Sequence, residues 1–566
     1  MPNLQLGPWP TGIVNSSRDY TLPKGAVLDA LNVDFADKGT AVRRLGYSQT
    51  VAIDNGHSLK TLGGKTLIAM GAELHVITAM NPLTTTLLRA GLGTTPISYD
   101  ERGGEVWWSN GAQSGRCNAD NTDHPWVPPA PGNIVAVYAG AGTLPAGDYR
   151  VAITHAMADG EESVASDIEE ITLASAGSIT LTLPAATVGT DAFNIYCTRA
   201  NGKALQKYST VAAATASVDI TAEPQGRQLR DRAFLKPLPA GTAICFHGGR
   251  LLSLAGEFLY YSRPYDYGVY DPTQDYIVLG AAGSILASVE SGVFVAADRT
   301  WFYAGADIAT AEPAERLAFG AVAGTAFIHP TSASPVAGWY SDEGIVFGAG
   351  DGSVTLPQRA NGFIAPIADT GASWVRQRDG QVHVIVSLDG TAAYDSKVSD
   401  DFTTARMRHD DDSTTVCMEL AGGATSRYSN WYFNSYATFD GEEYGLDAEG
   451  LRLLDGGTDE GVAITAAVDL GLIGYDTPQI KAPDAVYVRG KSSDILVVDI
   501  ALPTDEVYSY PAHRYSESMA VMRHAPMKGL LNARQQGFNT IVRNQDGGSF
   551  ELASVEVALA VSKRRI

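Results

Sequence analysis

The chain has 566 residues, 45% of them hydrophobic, and its 63 acidic against 41 basic side chains leave a formal net charge of −22. That length allows several domains, and that hydrophobic share suits a packed core. The charge excludes a protein whose affinity comes from gripping nucleic acid, which needs Lys and Arg on phosphates, but it suits a surface past which DNA slides.

Residues 1–125 read as an N-terminal arm and the first blades of a β-propeller. Pro8, Pro10 and Pro23, with Gly7, Gly12 and Gly25, interrupt any long element near the start. Ala30 to Phe35 alternates apolar and polar as a half-buried strand does, Asp37-Lys38-Gly39 reads as its turn, and Ala41 to Tyr47 as the return strand. Two further burst-turn-burst units follow, Leu62–Ile77 and Ile97–Gly111. The first eight residues have neither the basic nor the apolar region of a signal peptide.

A proline-rich linker, Pro125-Trp126-Val127-Pro128-Pro129-Ala130-Pro131-Gly132, announces an insert over 126–226. Asp148–Thr154 and Gly177–Leu183 alternate strictly, and Phe193–Arg199 pairs through Asn201-Gly202 with Ala204–Tyr208. Roughly seven short strands in about ninety residues fit an immunoglobulin-like or fibronectin III-like sandwich, without the disulfide of antibody domains.

Residues 227–458 read as the remaining propeller blades. Cys245–Leu254, Glu257–Ser262, Ile285–Val289, Gly292–Ala296 and Arg299–Gly305 are short β-branched and aromatic runs, bounded by Gly and Asp. The rhythm returns at Val336–Gly348, Ser373–Val386 and Trp431–Leu454. Strand pairs at roughly forty-residue spacing build four-stranded blades. From about 459 to 566 the strands lengthen, as in Asp484–Gly490, Asp494–Ile500 and Ser549–Leu559, and predict a C-terminal β domain, sandwich or barrel-like. The fold class is therefore all-β: a discontinuous propeller, an inserted sandwich and a terminal β domain. The most apolar window, Leu279–Ala297, holds Glu290 and three glycines, so no membrane-spanning helix is expected.

No catalytic, cofactor or metal site is expected. Gly490-Lys491-Ser492 lacks the earlier glycine and the helix of a phosphate loop. G-x-S-x-G and H-E-x-x-H are absent, and the four cysteines (Cys117, Cys197, Cys245, Cys417) form no C-x-x-C, so reduced, buried thiols are expected. Asp400, Asp401 and Asp410–Asp412 could hold Ca²⁺ but lack the alternating ligand spacing, and read as a solvated charge run. His383 reads as a packed strand residue. Ser341-Asp342-Glu343-Gly344 reads as a turn rather than a sialidase Asp box. The tryptophans Trp107, Trp108, Trp301, Trp339, Trp374 and Trp431 read as packing between sheets rather than a sugar groove.

Gly7-Pro8, Leu22-Pro23-Lys24-Gly25, Ala30-Leu31-Asn32-Val33, Lys38-Gly39 and Val42-Arg43-Arg44-Leu45-Gly46-Tyr47 resemble the start of the tail nozzle (tail tubular B-like) and packaged-DNA stabilisation proteins of short-tailed phages. Ala533–Phe538, Ile541–Leu552 and Ser562–Ile566 resemble their end, so the resemblance spans nearly the whole chain outside the insert. It implies a structural virion protein, not an enzyme, assembled in the host cytoplasm. It further implies a homohexameric ring at the distal end of the tail, docked on an adaptor or portal-side ring, with tail fibres or spikes as further neighbours. Double-stranded DNA would be retained, then pass through the lumen without specific binding. Six copies would sum to about −132, a wall that repels phosphates within a Debye length of about 8–10 Å. Arg43, Arg44, Lys563, Arg564 and Arg565 are the expected inter-subunit or adaptor contacts, against the plainer reading of ordinary surface charges. The competing functions are a glycan-binding or glycan-cleaving propeller, which needs clustered carboxylates in a pocket, and a receptor-binding adhesin with its specificity in the insert.

Overall fold

A computed structural model describes residues 3–16, 22–157, 160–187, 190–229, 234–330, 335–390, 414–473, 480–502, 506–514, 521–526 and 537–561. Strands dominate these residues, and the one α-helix among them is a single turn, Pro357–Ala360. The chain divides into two compact units. One comprises Met1–Pro96, Ser284–Ala304 and Glu312–Ile566, and the other Ile97–Gly283 and Gly305–Ala311.

Among the described residues the first unit contains five sets of four antiparallel strands that form propeller blades, one of them continuous with a larger sheet. Four are contiguous in sequence: Gly56–Ala90, Ile285–Leu317, Phe327–Thr355 and Thr370–Tyr428. The fifth takes three strands from Ser435–Leu453 and its edge strand, Ser48–Ala52, from the far end of the chain, with Gly450 opposite Ala52 and Leu453 opposite Ser48. Turns such as Asp379-Gly380 reverse the chain between paired strands, and alternate residues point to opposite faces, so both faces can be apolar when a sheet lies between two others. Separate apolar clusters fill the gaps. Phe294, Phe302 and Trp339 lie between the 285–317 and 327–355 sheets. Trp374, Tyr428, Trp431 and Tyr436 lie between the 370–428 and 435–453 sheets, and Ile68, Ile77, Leu446 and Leu451 between the 435–453 and 56–90 sheets. Trp108, Trp339 and Trp431 are buried, as packing rather than a groove requires.

The C-terminal strands extend the sheet that begins in the 370–428 blade. Phe550–Val561 pairs with Lys481–Ser492, and Phe538–Asn544 lies between Leu496–Ala501 and Ala467–Ile473. Among the described residues these strands form no closed barrel. The N-terminal arm is not a free arm but part of this assembly. Asn3–Leu6 and Ala41–Arg43 both pair with Phe550–Val561, and Asp29–Leu31 pairs with Ala467–Ile473. The main core accordingly gathers Trp9, Val33 and Phe35 from the arm, Val384 and Met418 from the blade, and Val468, Val498 and Val555 from the C-terminal strands. Gly490 lies in the long Lys481–Ser492 strand, where a Cβ would meet the Glu551 carbonyl oxygen at 2.0 Å, so Gly490-Lys491-Ser492 is a sheet contact and no phosphate loop.

The second unit holds two further propeller sheets, Ser98–His124 and Ala243–Val278, joined by a cluster of Trp107, Trp126, Ile244 and Leu251. It also holds the insert, a sandwich of a three-stranded and a four-stranded sheet over Val135–Ile220. The sandwich has its own core, including Tyr149, Ile153, Phe193 and Ile195, and a polar hub between its strands. There, buried Glu162 accepts hydrogen bonds from Thr154, Asn194, Tyr196 and Arg227. These donors outweigh the upward push of burial and hold the Glu162 carboxyl below its ordinary range.

Candidate functional site

Asn32, Asp34, Arg44 and Tyr47 of the N-terminal hairpin meet in one polar joint in the first unit. The expected single strand Ala30–Phe35 is broken at Asn32, whose φ of +53° is left-handed, leaving Asp29–Leu31 and Val33–Phe35 as separate strands. Asn tolerates that conformation better than other side chains. The break lets Asp29–Leu31 pair with the C-terminal strand Ala467–Ile473 while Val33–Phe35 pairs with Ala41–Arg43. The Asn32 amide is fully used. Its oxygen accepts from Arg44 Nε at 2.8 Å and the Ser429 amide at 2.9 Å, and its nitrogen donates to Ser429 Oγ at 2.6 Å and the Thr465 carbonyl at 2.8 Å.

Arg44 points inward and is 0% exposed. Besides the bond to Asn32, it donates to both carboxylate oxygens of Asp459, at 2.8 and 2.6 Å, and to the carbonyls of Leu45 at 2.9 Å and Ser429 at 2.7 Å. Five donors thus meet five acceptors, the condition under which a guanidinium can be buried. Its charge also lies 4.7 Å from the Trp431 ring centroid and 5.5 Å from that of Tyr428. The surface contact expected of Arg44 is therefore replaced by an internal tie between hairpin, blade and the 459 turn. Arg43 is also buried, at 7% exposure, and donates to the Gly457 carbonyl at 3.0 Å. Burial and the neighbouring Arg44 charge push its pKa down. Lys563, Arg564 and Arg565, the acidic stretch Asp400–Asp412, and Ala533–Gln536 lie outside the described residues.

A second cluster lies one strand position further on. Asp34 pairs with Arg376 at 2.8 Å and accepts from the Tyr428 hydroxyl, with Cys417 Sγ at 3.6 Å. Burial alone would raise the Asp34 pKa, but the Arg376 charge, His383 and the Tyr428 bond together hold it below the ordinary carboxylate value. Burial pushes the Cys417 thiol and the Tyr428 hydroxyl up, so neither ionises readily. His383 donates from Nε2 to the Phe35 carbonyl at 2.9 Å, and burial holds its pKa below the ordinary imidazole value. It is a packed strand residue. Asp34 and Asp459 are each engaged by an arginine, so the arrangement holds strands together.

A polar cleft of about 420 Å³ opens beside this joint, lined by Tyr47, Arg427, Asn430, Tyr432, Asp459 and Glu460, among others. Tyr47 seats edge-on against Trp431 and Phe433, with centroids 5.8 and 5.3 Å away. Gly46 is needed for that seat, since a Cβ there would lie 2.0 Å from the Thr458 carbonyl oxygen. No group of three or more His, Cys, Asp and Glu side chains that could hold a metal ion occurs among the described residues, and the four cysteines are buried and unpaired with one another. Ser341 and Gly344 close a hairpin turn, with Ser341 Oγ donating to the Gly344 carbonyl at 2.9 Å. No helix among the described residues is long and apolar enough to cross a membrane.

Sequence reasoning missed the inward turn of the two arginines. The available signal was the run Asn32, Asp34, Arg43 and Arg44 in an otherwise apolar hairpin, where alternation sends some side chains to the buried face.

No family model matches the chain, and no curated protein does. Among solved structures it has a low similarity to the extracellular domain of a hybrid two-component system from B. thetaiotaomicron, at 8% identity over 88% of this chain and 85% of that one, with a TM-score of 0.21. PorZ, a surface component of the type-IX secretion system of Porphyromonas gingivalis, shares 8% identity over 90% and 99%, with a TM-score of 0.17. Trypanosoma rangeli sialidase shares 10% identity over 97% and 96%, with a TM-score of 0.17. Similarity at this level leaves function to be argued from the chain itself.

Proposed function

We propose that this protein is a structural component of a phage virion. It would be the distal nozzle of a short tail, in which copies close into a ring around the DNA passage, retain the packaged genome and let it pass at infection. The observation that carries this reading is the use made of the resembling hairpin. Asn32, Asp34, Arg44, Gly46 and Tyr47 are spent on joining arm, propeller and C-terminal sheet. Residues spent on such a joint speak to architecture rather than to surface, which supports the reading. The charge of −22 supports the same reading, since a lumen drawn from this surface repels phosphate and keeps DNA mobile. An adaptor-side ring and fibres or spikes are the expected neighbours.

Negative-stain imaging of the purified chain tests this directly. Closed rings with a central passage are expected, six copies being the stoichiometry that the resemblance implies. Particles assembled without the protein should fill and then leak DNA. A chain that stays monomeric at all concentrations and leaves particle assembly unaffected overturns the reading, and so does release of sugar from capsule or lipopolysaccharide.

A further inference from the structure

The insert has four sheet-edge strands, and three of them carry charge. Glu169–Leu173 has Glu169 and Glu170, Gln206–Ala212 has Lys207, and Ser217–Ile220 has Asp219. Charges on an edge are a common device against unwanted strand pairing. The fourth edge, Val135–Leu144, has none. It pairs on one side with Gly177–Thr182, in unbroken register from Val135 opposite Thr182 to Ala139 opposite Ser178, and with no strand on the other side among the described residues. Val135 is 56%, Val137 54% and Tyr138 42% exposed. No proline or bulge interrupts 135–139, and no charged side chain occurs anywhere from 125 to 147.

From this we infer that the Val135–Ala139 edge is a strand-addition surface whose occupant is the same strand of a second copy, paired antiparallel about a two-fold axis. Each alternative edge of the insert would bring its own charge to the pairing. With the axis at Val137, the bare strand brings Val137 against Val137 and Val135 against Ala139, with backbone N–H and C=O groups on the open side matched in kind. The strand itself adds no charge to the approach of two chains of −22. Such a contact joins copies in twos. It is confined to the insert, and pairing and ring closure are read out separately.

The test uses the full-length chain in a dilution series by analytical ultracentrifugation, with Val137→Lys beside it. Val137 is exposed, so the variant should keep the parent melting temperature. It should weaken pairwise association by about tenfold or more, because two lysines are brought face to face. A single Val137→Cys variant should form an inter-chain disulfide under mild oxidant, since facing residues of an antiparallel pair lie about 4.5–5.5 Å apart, within disulfide reach, whereas Val135→Cys, set opposite Ala139, should not. The native cysteines are buried and should not compete. A parent chain without pairwise association, association untouched by Val137→Lys, or failure of Val137→Cys to cross-link would each overturn the proposal. Rings that persist in Val137→Lys while pairing is lost would uphold it.

Discussion

At the scale of single residues, the chain puts its most costly chemistry where it joins segments. A buried guanidinium is tolerable only while every donor is answered, and Arg44 is answered by Asp459, Asn32 and two carbonyls. Arg44→Ala should leave the Asp459 carboxylate buried and unpaired and cost about 3–5 kcal/mol. Arg44→Lys keeps the charge but not the fork, and should fall between. Unfolding followed by tryptophan fluorescence reads this out, since Trp431 lies under the guanidinium; a loss under about 1 kcal/mol for the alanine variant would show the tie to be dispensable. His383 makes a pH prediction. Burial depresses its folded pKa, with Asp34, Arg376 and Glu419 as the charged groups around it. As pH falls below about 6.5 the unfolded chain takes up a proton that the folded chain refuses, so stability drops from there down to the folded pKa. His57, His155 and His329 are depressed by burial too and act in the same sense. Asp34 acts in a lower window. Its depressed pKa gives stability that is present above the unfolded carboxylate value and lost as pH falls through the folded one. Thermal melts across mildly acidic pH should therefore show a decline that His383→Gln makes shallower, and an unchanged slope would remove His383 from the account.

At the scale of elements, the short strands were legible because Gly, Asn and Asp turns bound each apolar burst, as in the Gly292–Ala296 and Thr300–Ala304 hairpin. Pairings between distant segments were not legible. Ser48–Ala52 is partly exposed and mostly polar, and nothing local assigns it to the 435–453 sheet, because its partner Gly450–Leu453 lies across the chain. The break at Asn32 was hidden for the opposite reason. Alternation runs straight through it, and only tertiary bonds to Ser429 and Thr465 select the left-handed conformation. The joint was visible as a resemblance and invisible as a joint. Gly46 tests how closely the hairpin must seat. Gly46→Ala places a methyl against the Thr458 carbonyl and should cost about 1–3 kcal/mol. Hydrogen exchange should rise at the Gly46 and Tyr47 amides, which bond Gly456 and Thr458, and stay at parent level in the sandwich insert. Exchange that rises equally in the insert would mean the effect is not local.

At the scale of the whole molecule, an all-β chain with few regular helical turns stores its stability in strand pairings between segments far apart in sequence. The propeller sheets share their cores pairwise, so each is stabilised by its neighbours, while the insert has a core of its own. That difference makes the insert the separable part: excising it should spare the fold of the first unit, whereas cutting the arm should not. The edge strand Ser48–Ala52 has a consequence for biosynthesis. A ribosome adding about 5–20 residues per second releases this segment on the order of twenty seconds or more before its hydrogen-bonding partner exists. Through that interval the segment is an orphan, and a strand made long after it must capture it before a stranger does.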